Sequence, residues 1–125
     1  MIFGIGTDIV AVARLRGMLE RHGERVLDKL LAASEQADFA KAPDKGRFLA
    51  KRFAAKEAFA KALGTGIRPP ATLTAIGVGH DDLGKPIIEC YGQLEKMVKI
   101  KNLKAHLSIS DEADYAVAYV ILEQA

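Results

Sequence analysis

The chain has 125 residues, of which 50% are hydrophobic and 27% charged, and its formal net charge is +2. These values indicate one domain with a single core, and so small a net charge does not by itself indicate nucleic-acid binding, which would need a local basic patch. The only cysteine, Cys90, excludes an internal disulfide framework and is predicted to be an inert thiol inside a strand. Since no segment resembles a signal peptide or a membrane span, we expect a cytoplasmic protein with neither a membrane nor nucleic acid as partner.

The first elements in chain order are a strand and a series of helices. Residues 2–10 have the apolar character of a buried strand, and Gly4 and Gly6 within it indicate close approach of another backbone. Residues 12–33 follow a helical period, and a short extra helix is predicted over residues 34–39.

A long helix is predicted up to Gly64, because Ala, Leu, Lys, Glu and Arg dominate the preceding residues. Its circumference is apolar nearly all round, which is typical of a buried helix. Arg52 and Lys56 point into the apolar arc one turn apart, and like charges at this spacing cost stability unless an anion lies between them. This conflict makes the helix a candidate site.

The second half of the chain has the alternating pattern of strands. Two strand pairs and one helix are predicted, at 73–79 with 85–91, 105–110 with 115–122, and 93–100. The fold class is therefore α+β, a single domain over residues 1–125 with a long helix packed on a mainly antiparallel sheet.

Two carboxylates stand at the edges of apolar elements, Asp8 at a strand end and Glu57 inside the long helix. Two carboxylates brought together repel each other unless a proton or cation lies between them. Magnesium commonly takes one or two protein carboxylates and completes its shell with water and substrate phosphates. The structural alternative is that Asp8 caps the first helix and Glu57 pairs with Lys61, and spacing alone leaves both interpretations open.

Basic and polar residues form three further candidate sites. Lys61, with Arg52 and Lys56, suits phosphate oxygens, and the Gly64-Thr65-Gly66 turn adds backbone amides and a hydroxyl. No P-loop or dinucleotide fingerprint is present.

In the other two sites, strand alternation groups His106, Ser108 and Ser110 on one face, and a basic sector of the first helix contains Arg14, Met18, Arg21 and Arg25. That sector suits an acidic protein surface, although a solvated basic face is the alternative.

Four motifs together resemble the holo-[acyl-carrier-protein] synthases, the small bacterial branch of the 4′-phosphopantetheinyl transferases. They are Gly4-Ile-Gly-Thr-Asp-Ile-Val10, Arg52–Phe59 with Lys61 and Gly64–Gly66, Gly84-Lys85-Pro86, and His106–Ser110. The resemblance extends over nearly the whole chain. It implies the 4′-phosphopantetheinyl transferase fold and transfer of the 4′-phosphopantetheine arm of coenzyme A to a serine of apo-acyl carrier protein. Adenosine 3′,5′-bisphosphate would be released, and the reaction would support fatty acid biosynthesis.

The resemblance also implies roles for individual residues. Asp8 and Glu57 match the family's metal-binding acids and would hold Mg²⁺ against the coenzyme A pyrophosphate, with Lys61 as the third catalytic residue. The group that deprotonates the serine stays open between Asp8, Glu57 and a metal-activated water. The residues implied in coenzyme A binding are Arg52, Lys61, Gly64, Thr65 and His106.

Two surfaces acquire partners by the same resemblance. Family members of this size form homotrimers with active sites between subunits, so the charges of the long helix would line an intersubunit cleft rather than a closed core. The basic sector matches the family's carrier-docking helix. Two rival hypotheses remain, a non-catalytic module that binds an acidic protein and a different Mg²⁺-dependent nucleotide enzyme. The first of these would need neither the acid pair nor Lys61.

Overall fold

The computed structural model describes all residues, 1–125, as strands and helices joined by short loops. The strands are β1 (Ile2–Ala11), β2 (Ile76–His80), β3 (Pro86–Cys90), β4 (Leu103–Asp111) and β5 (Tyr115–Gln124). The helices are α1 (Val12–His22), α2 (Arg25–Leu30), α3 (Gln36–Lys41), α4 (Lys45–Leu63) and α5 (Gly92–Ile100), with a 3-10 turn at Ala33–Glu35. No helix combines the length and the hydropathy that a membrane span requires.

The predicted α+β class is confirmed, but the strands form two antiparallel sheets instead of one. The first sheet has the order β1-β5-β4, and the second is the β2-β3 hairpin. Both predicted strand pairs are present. The helix predicted over residues 12–33 is interrupted at Gly23, where φ is 61°. Arg25 therefore lies in α2, separate from the other residues of the basic sector.

The long helix α4 is the centre of the molecule. It begins after Asp44, whose side chain accepts a hydrogen bond from the Arg47 amide, and ends at Gly64 in the left-handed region with φ 88°. The core gathers around it from both sheets and from α1, α2 and α5. The predicted burial of this helix is therefore confirmed.

The glycines of β1 allow this strand to lie directly on α4. A Cβ atom on Gly4 would lie 1.9 Å from the carbonyl oxygen of Ala62, and one on Gly6 would lie 2.0 Å from that of Ala58. The predicted close backbone approach is thus confirmed. It brings the strand that carries Asp8 against the helix that carries Glu57 and Lys61.

Cys90 lies in β3, as the sequence predicts, but it is half-buried rather than fully buried. Burial raises the pKa of its thiol to about 11. Because the thiolate is the reactive form, this cysteine is inert at neutral pH.

Candidate active site

Asp8 and Lys61 form an ion pair where β1 crosses α4. The Lys61 Nζ donates to Asp8 Oδ1 at 3.0 Å and to the carbonyl oxygen of Thr7 at 2.9 Å. The Lys61 side chain is 52% exposed, so its ammonium is accessible to an incoming anion. The structural alternative for the acids is wrong, because α1 has no side-chain cap and Lys61 pairs with Asp8 rather than Glu57.

Glu57 lies one turn before Lys61 on α4 and close to Asp8. Partial burial and the negative charge of Asp8 raise the pKa of Glu57, while the charges of Lys61 and Arg14 oppose this rise. Two carboxylates that repel each other beside an exposed cation are a suitable donor set for Mg²⁺ and a bound phosphate. The two acids therefore fit the metal. No group of three or more candidate ligands exists in the chain, so water and substrate phosphates would complete the metal's shell.

The turn after α4 uses the amides of both its glycines within the end of the helix. The amide of Gly64 donates to the carbonyl oxygens of Ala60 and Lys61, each at 3.1 Å, and the amide of Gly66 donates to that of Ala60 at 3.2 Å. Both amides therefore cap the helix and are not free for a phosphate. The hydroxyl of Thr65 donates to the carbonyl of Gly66 at 2.8 Å. Because a helix C-terminus carries partial negative charge, phosphate binding at this end depends on Lys61.

Arg52 and Lys56 are buried within a single chain, with exposed fractions of 5% and 0%. The anion that their spacing requires is Glu35, which accepts from Arg52 at 3.0 Å and also accepts from Lys56. The expectation that these two charges line an intersubunit cleft rather than a closed core is wrong. Glu35 is a partner that the sequence does not identify, because its only signal there is the like-charge conflict on α4.

A basic cleft of about 580 Å³ lies at the N-terminal end of α4 beside β4. Asp8 lies on β1, at the opposite edge of the sheet. The charged and titratable residues of the cleft are Lys41, Arg47, Lys51, Arg52, His80, Asp38 and Asp44. Arg52 reaches the cleft only by its edge, since its guanidinium stacks 4.4 Å from the centre of the Phe48 ring and its side chain is 7% exposed. The other cations of this cleft are not apparent as a group from the sequence, because they come from α3, α4 and β2.

His106 lies on the outer face of the β1-β5-β4 sheet. Its Nε2 lies 3.0 Å from Glu123 Oε1, and this contact lowers the pKa of Glu123. Asp8 is paired with the buried Ala118 and faces α4 on the inner side of the sheet. The structure therefore does not bring His106 together with Asp8 and Glu57 within one chain.

The basic sector borders an apolar groove of about 740 Å³ between α1, α2 and α4. The groove is lined by Met18, Val26, Leu30, Phe53 and Leu73, together with the basic residues His22, Arg25 and Lys29. The guanidinium of Arg14 lies 5.1 Å from the centre of the Phe53 ring, and its charge also lowers the pKa of Glu57. Of the basic sector, Arg14 therefore lies near Glu57.

The sequence model of the 4′-phosphopantetheinyl transferase superfamily matches residues 4–120. The chain belongs to this superfamily. Among curated members, the holo-[acyl-carrier-protein] synthase of Dechloromonas aromatica (strain RCB) is 82% identical over 125 residues, which are 100% of both chains. This similarity places the chain in the holo-[acyl-carrier-protein] synthase branch and shows that it is an enzyme.

Solved structures of this branch confirm the 4′-phosphopantetheinyl transferase fold. The crystal structure of the Neisseria meningitidis synthase has a TM-score of 0.95 and 43% identity, and the match covers 99% of this chain and 100% of that chain. The Bacillus anthracis synthase in complex with CoA (3′,5′-ADP) has a TM-score of 0.85 and 36% identity, over 100% of this chain and 99% of that chain.

Proposed function

We propose that the chain transfers the 4′-phosphopantetheine arm of coenzyme A to a serine of apo-acyl carrier protein and so supports fatty acid biosynthesis. The observation that carries this proposal is the acid pair Asp8 and Glu57 beside the exposed Lys61, in a chain of the holo-[acyl-carrier-protein] synthase branch. The serine oxygen forms a bond to the phosphorus that bears pantetheine, and the bond from this phosphorus to the bridging oxygen breaks. Adenosine 3′,5′-bisphosphate leaves, and the serine proton passes to a base, for which the two acids are candidates.

The acid pair would hold Mg²⁺, and Lys61 would hold the pyrophosphate of coenzyme A. The metal would supply positive charge that neutralises the pyrophosphate oxygens. The ammonium of Lys61 is already fixed by Asp8 and the Thr7 carbonyl, so it binds a phosphate oxygen without a large loss of side-chain freedom. Phosphoryl transfer depends mainly on such positioning and electrostatic stabilisation.

We propose a homotrimer in which a neighbouring copy completes the nucleotide site. The outer face of the β1-β5-β4 sheet exposes large apolar side chains, including Ile5 at 58%, Ile9 at 63% and Tyr119 at 43%. Contiguous exposed apolar residues of this kind mark an interface. His106 lies on the same face, so it reaches the acids only from an adjacent copy, where it would bind the 3′-phosphate and adenine end of coenzyme A. Arg52 would also contact coenzyme A, through the edge of its guanidinium that borders the basic cleft.

We propose that the basic sector and the apolar groove dock the carrier protein. Acyl carrier proteins are acidic, so Arg14, Arg21 and Arg25 would attract the carrier and raise its association rate. Met18 lines the groove between these arginines and would contact an apolar side chain of the carrier. Because Arg14 lies over Phe53, one turn before Glu57 on α4, a carrier bound here would lie next to the acid pair.

Intact-mass spectrometry tests this function. The protein is incubated with coenzyme A, Mg²⁺ and an apo-acyl carrier protein, and we expect the carrier to gain the mass of one phosphopantetheine arm. Chelation of the metal should abolish this gain, and added Mg²⁺ should restore it. A complex with the carrier but no change in mass would favour the non-catalytic module. Nucleotide turnover without a carrier would favour the other Mg²⁺-dependent enzyme.

A further inference from the structure

Lys56 has the most thoroughly buried charge in the molecule, and its ammonium is fully occupied. The Nζ atom donates to the carbonyl oxygen of Leu30 at 2.7 Å, to that of Leu73 at 2.9 Å and to the Glu35 carboxylate. An ammonium has three donors, so every one of them has an acceptor. Burial lowers the pKa of Lys56, and Glu35 partly restores it. The function proposed above gives this side chain no role.

The two carbonyl groups bound by Lys56 belong to two separate segments of the chain that both line the apolar groove. Leu30 is the last residue of α2, and Leu73 lies in the loop between α4 and β2. Both side chains line the groove, together with Phe53 of α4. Residues 30 and 73 have no hydrogen bond to each other, and Lys56 supplies donors to both. Lys56 therefore holds together two segments that line the groove.

Glu35 connects the Lys56 ammonium to the second sheet. Its Oε1 accepts from the Ala32 amide at 2.8 Å, and its Oε2 accepts from Arg52 at 3.0 Å and from the Val78 amide at 3.1 Å. All buried polar side-chain atoms of the molecule have partners. A fully satisfied buried network of this kind holds one geometry, because any displacement leaves a polar group without a partner.

From these contacts we infer that Lys56 is a positioning residue for the carrier substrate. It holds together the groove-lining segments at Leu30 and Leu73, and through them it sets the fit of the carrier next to Glu57. It does not touch coenzyme A, because its ammonium is saturated by protein acceptors and its side chain is 0% exposed. This inference rests on the proposed carrier docking and adds a determinant of carrier affinity that lies beneath the surface.

The substitution Lys56→Met tests the inference. Methionine retains the length and removes the donors, and it leaves Glu35 and Arg52 as a balanced buried pair. We expect the KM for the carrier to rise at least about tenfold, with kcat at saturating carrier and the Kd for coenzyme A within about twofold of the wild type. Leu94→Ala is the matched control, because Leu94 is also 0% exposed but lies in α5, away from the groove.

The outcomes separate this inference from the proposed function. If the wild type does not modify the carrier, the proposed function is wrong. A second outcome is a wild type that is active while Lys56→Met raises the carrier KM and the coenzyme A Kd alike, or changes neither of them. In both cases Lys56 is only a structural residue and the inference is wrong. The control should lower thermal stability without a selective change in the carrier KM.

Hydrogen exchange of the wild-type protein provides a second measurement that does not depend on the folding of a variant. Addition of the carrier should slow exchange in residues 26–31 and 72–76, which contain the groove residues Val26, Lys29, Leu30 and Leu73. Addition of coenzyme A alone should leave these segments unchanged. Protection of the α1 surface without protection of residues 72–76 would show that the carrier does not use the segment that Lys56 holds.

Discussion

Glu57 is an acid whose ionised form is disfavoured by the folded chain, because of partial burial and the adjacent Asp8. For a carboxyl group with a raised pKa, the stabilising effect is present at low pH and is lost as the pH rises through the pKa of the folded state. Above that pH the charged Glu57 lowers the stability of the free enzyme. The residue proposed to bind the metal therefore destabilises the folded enzyme when no metal is bound.

The substitution Glu57→Gln should have opposite effects on activity and stability. We expect turnover to fall by about 10²–10³-fold, because one of the two carboxylates proposed to hold the metal is lost and transition-state charge is then less well stabilised. We also expect a slightly higher Tm at pH 8, where Gln removes the repulsion from Asp8, and no increase at pH 4, where Glu57 is largely protonated. Differential scanning calorimetry at the two pH values measures this. A lower Tm at pH 8 would show that attraction from Lys61 and Arg14 outweighs the repulsion.

The charge of Asp8 should be measurable in the titration of Glu57. The substitution Asp8→Asn removes a negative neighbour and frees Lys61 from its partner, so both effects lower the pKa of Glu57. Carboxyl ¹³C chemical shifts of the free enzyme, recorded against pH, give this pKa directly. An unchanged titration would mean that burial alone causes the raised pKa and that the two acids are too far apart to share a cation.

At the scale of the elements, the basic sector on α1 and α2 should act on the carrier and not on coenzyme A. We expect Arg21→Glu with Arg25→Glu to raise the carrier KM at least about tenfold and to weaken its salt dependence, because steering by rim charges is lost. Steady-state kinetics at two salt concentrations measures both effects. Arg14 is left intact, because its charge also acts on Glu57.

The matched control for this charge reversal is Lys96→Glu with Lys99→Glu. Both lysines are exposed on α5, and the change in net charge is the same. The control should leave the carrier KM close to that of the wild type. Equal effects of the two double variants would indicate attraction by overall charge rather than by a docking surface.

Some parts of the site can be predicted from local sequence patterns within one element, and others depend on contacts between distant elements. The alternation that groups His106 with Ser108 and the glycines of β1 are local signals, and both are confirmed. The partner of Arg52 and Lys56 is not a local signal, because Glu35 lies 17 and 21 residues away in a short turn. The period of α4 predicts that an anion is needed there but does not identify it.

The face of the sheet that carries His106 is a further property that only the topology reveals. Alternation shows which residues share a face but not which face packs on α4. The buried side chains of β5 and the glycines of β1 determine the inner face, and His106 lies on the other one. Whether His106, Arg52, Gly64 and Thr65 bind the nucleotide stays a prediction.

At the scale of the whole molecule, the outer face of the sheet should determine both the oligomeric state and the activity. We expect Ile9→Glu to convert a trimer into monomers, because a buried carboxylate without a partner is expensive. Size-exclusion chromatography with light scattering gives the mass. Activity should fall with the loss of the trimer, since His106 of an adjacent copy is then absent.

The control for the oligomer is Ile100→Glu. Ile100 is 85% exposed at the end of α5 and is not part of the sheet. The Ile100→Glu variant should retain both the oligomer mass and the activity of the wild type. A wild-type protein that is monomeric and fully active would contradict the proposed role of a neighbouring copy.

The position of β5 between β1 and β4 has a consequence for the time at which activity arises during synthesis. The strand that carries Asp8 pairs with residues 115–123 of β5, and Thr7 donates to the carbonyl of a residue 111 positions later, so β1 is made well before its partner. Until those residues leave the ribosome, an apolar strand has no partner along its edge. The growing chain therefore acquires a formed active site late, and a ribosome paused before β5 holds a nascent chain without activity whose β1 is exposed to aggregation.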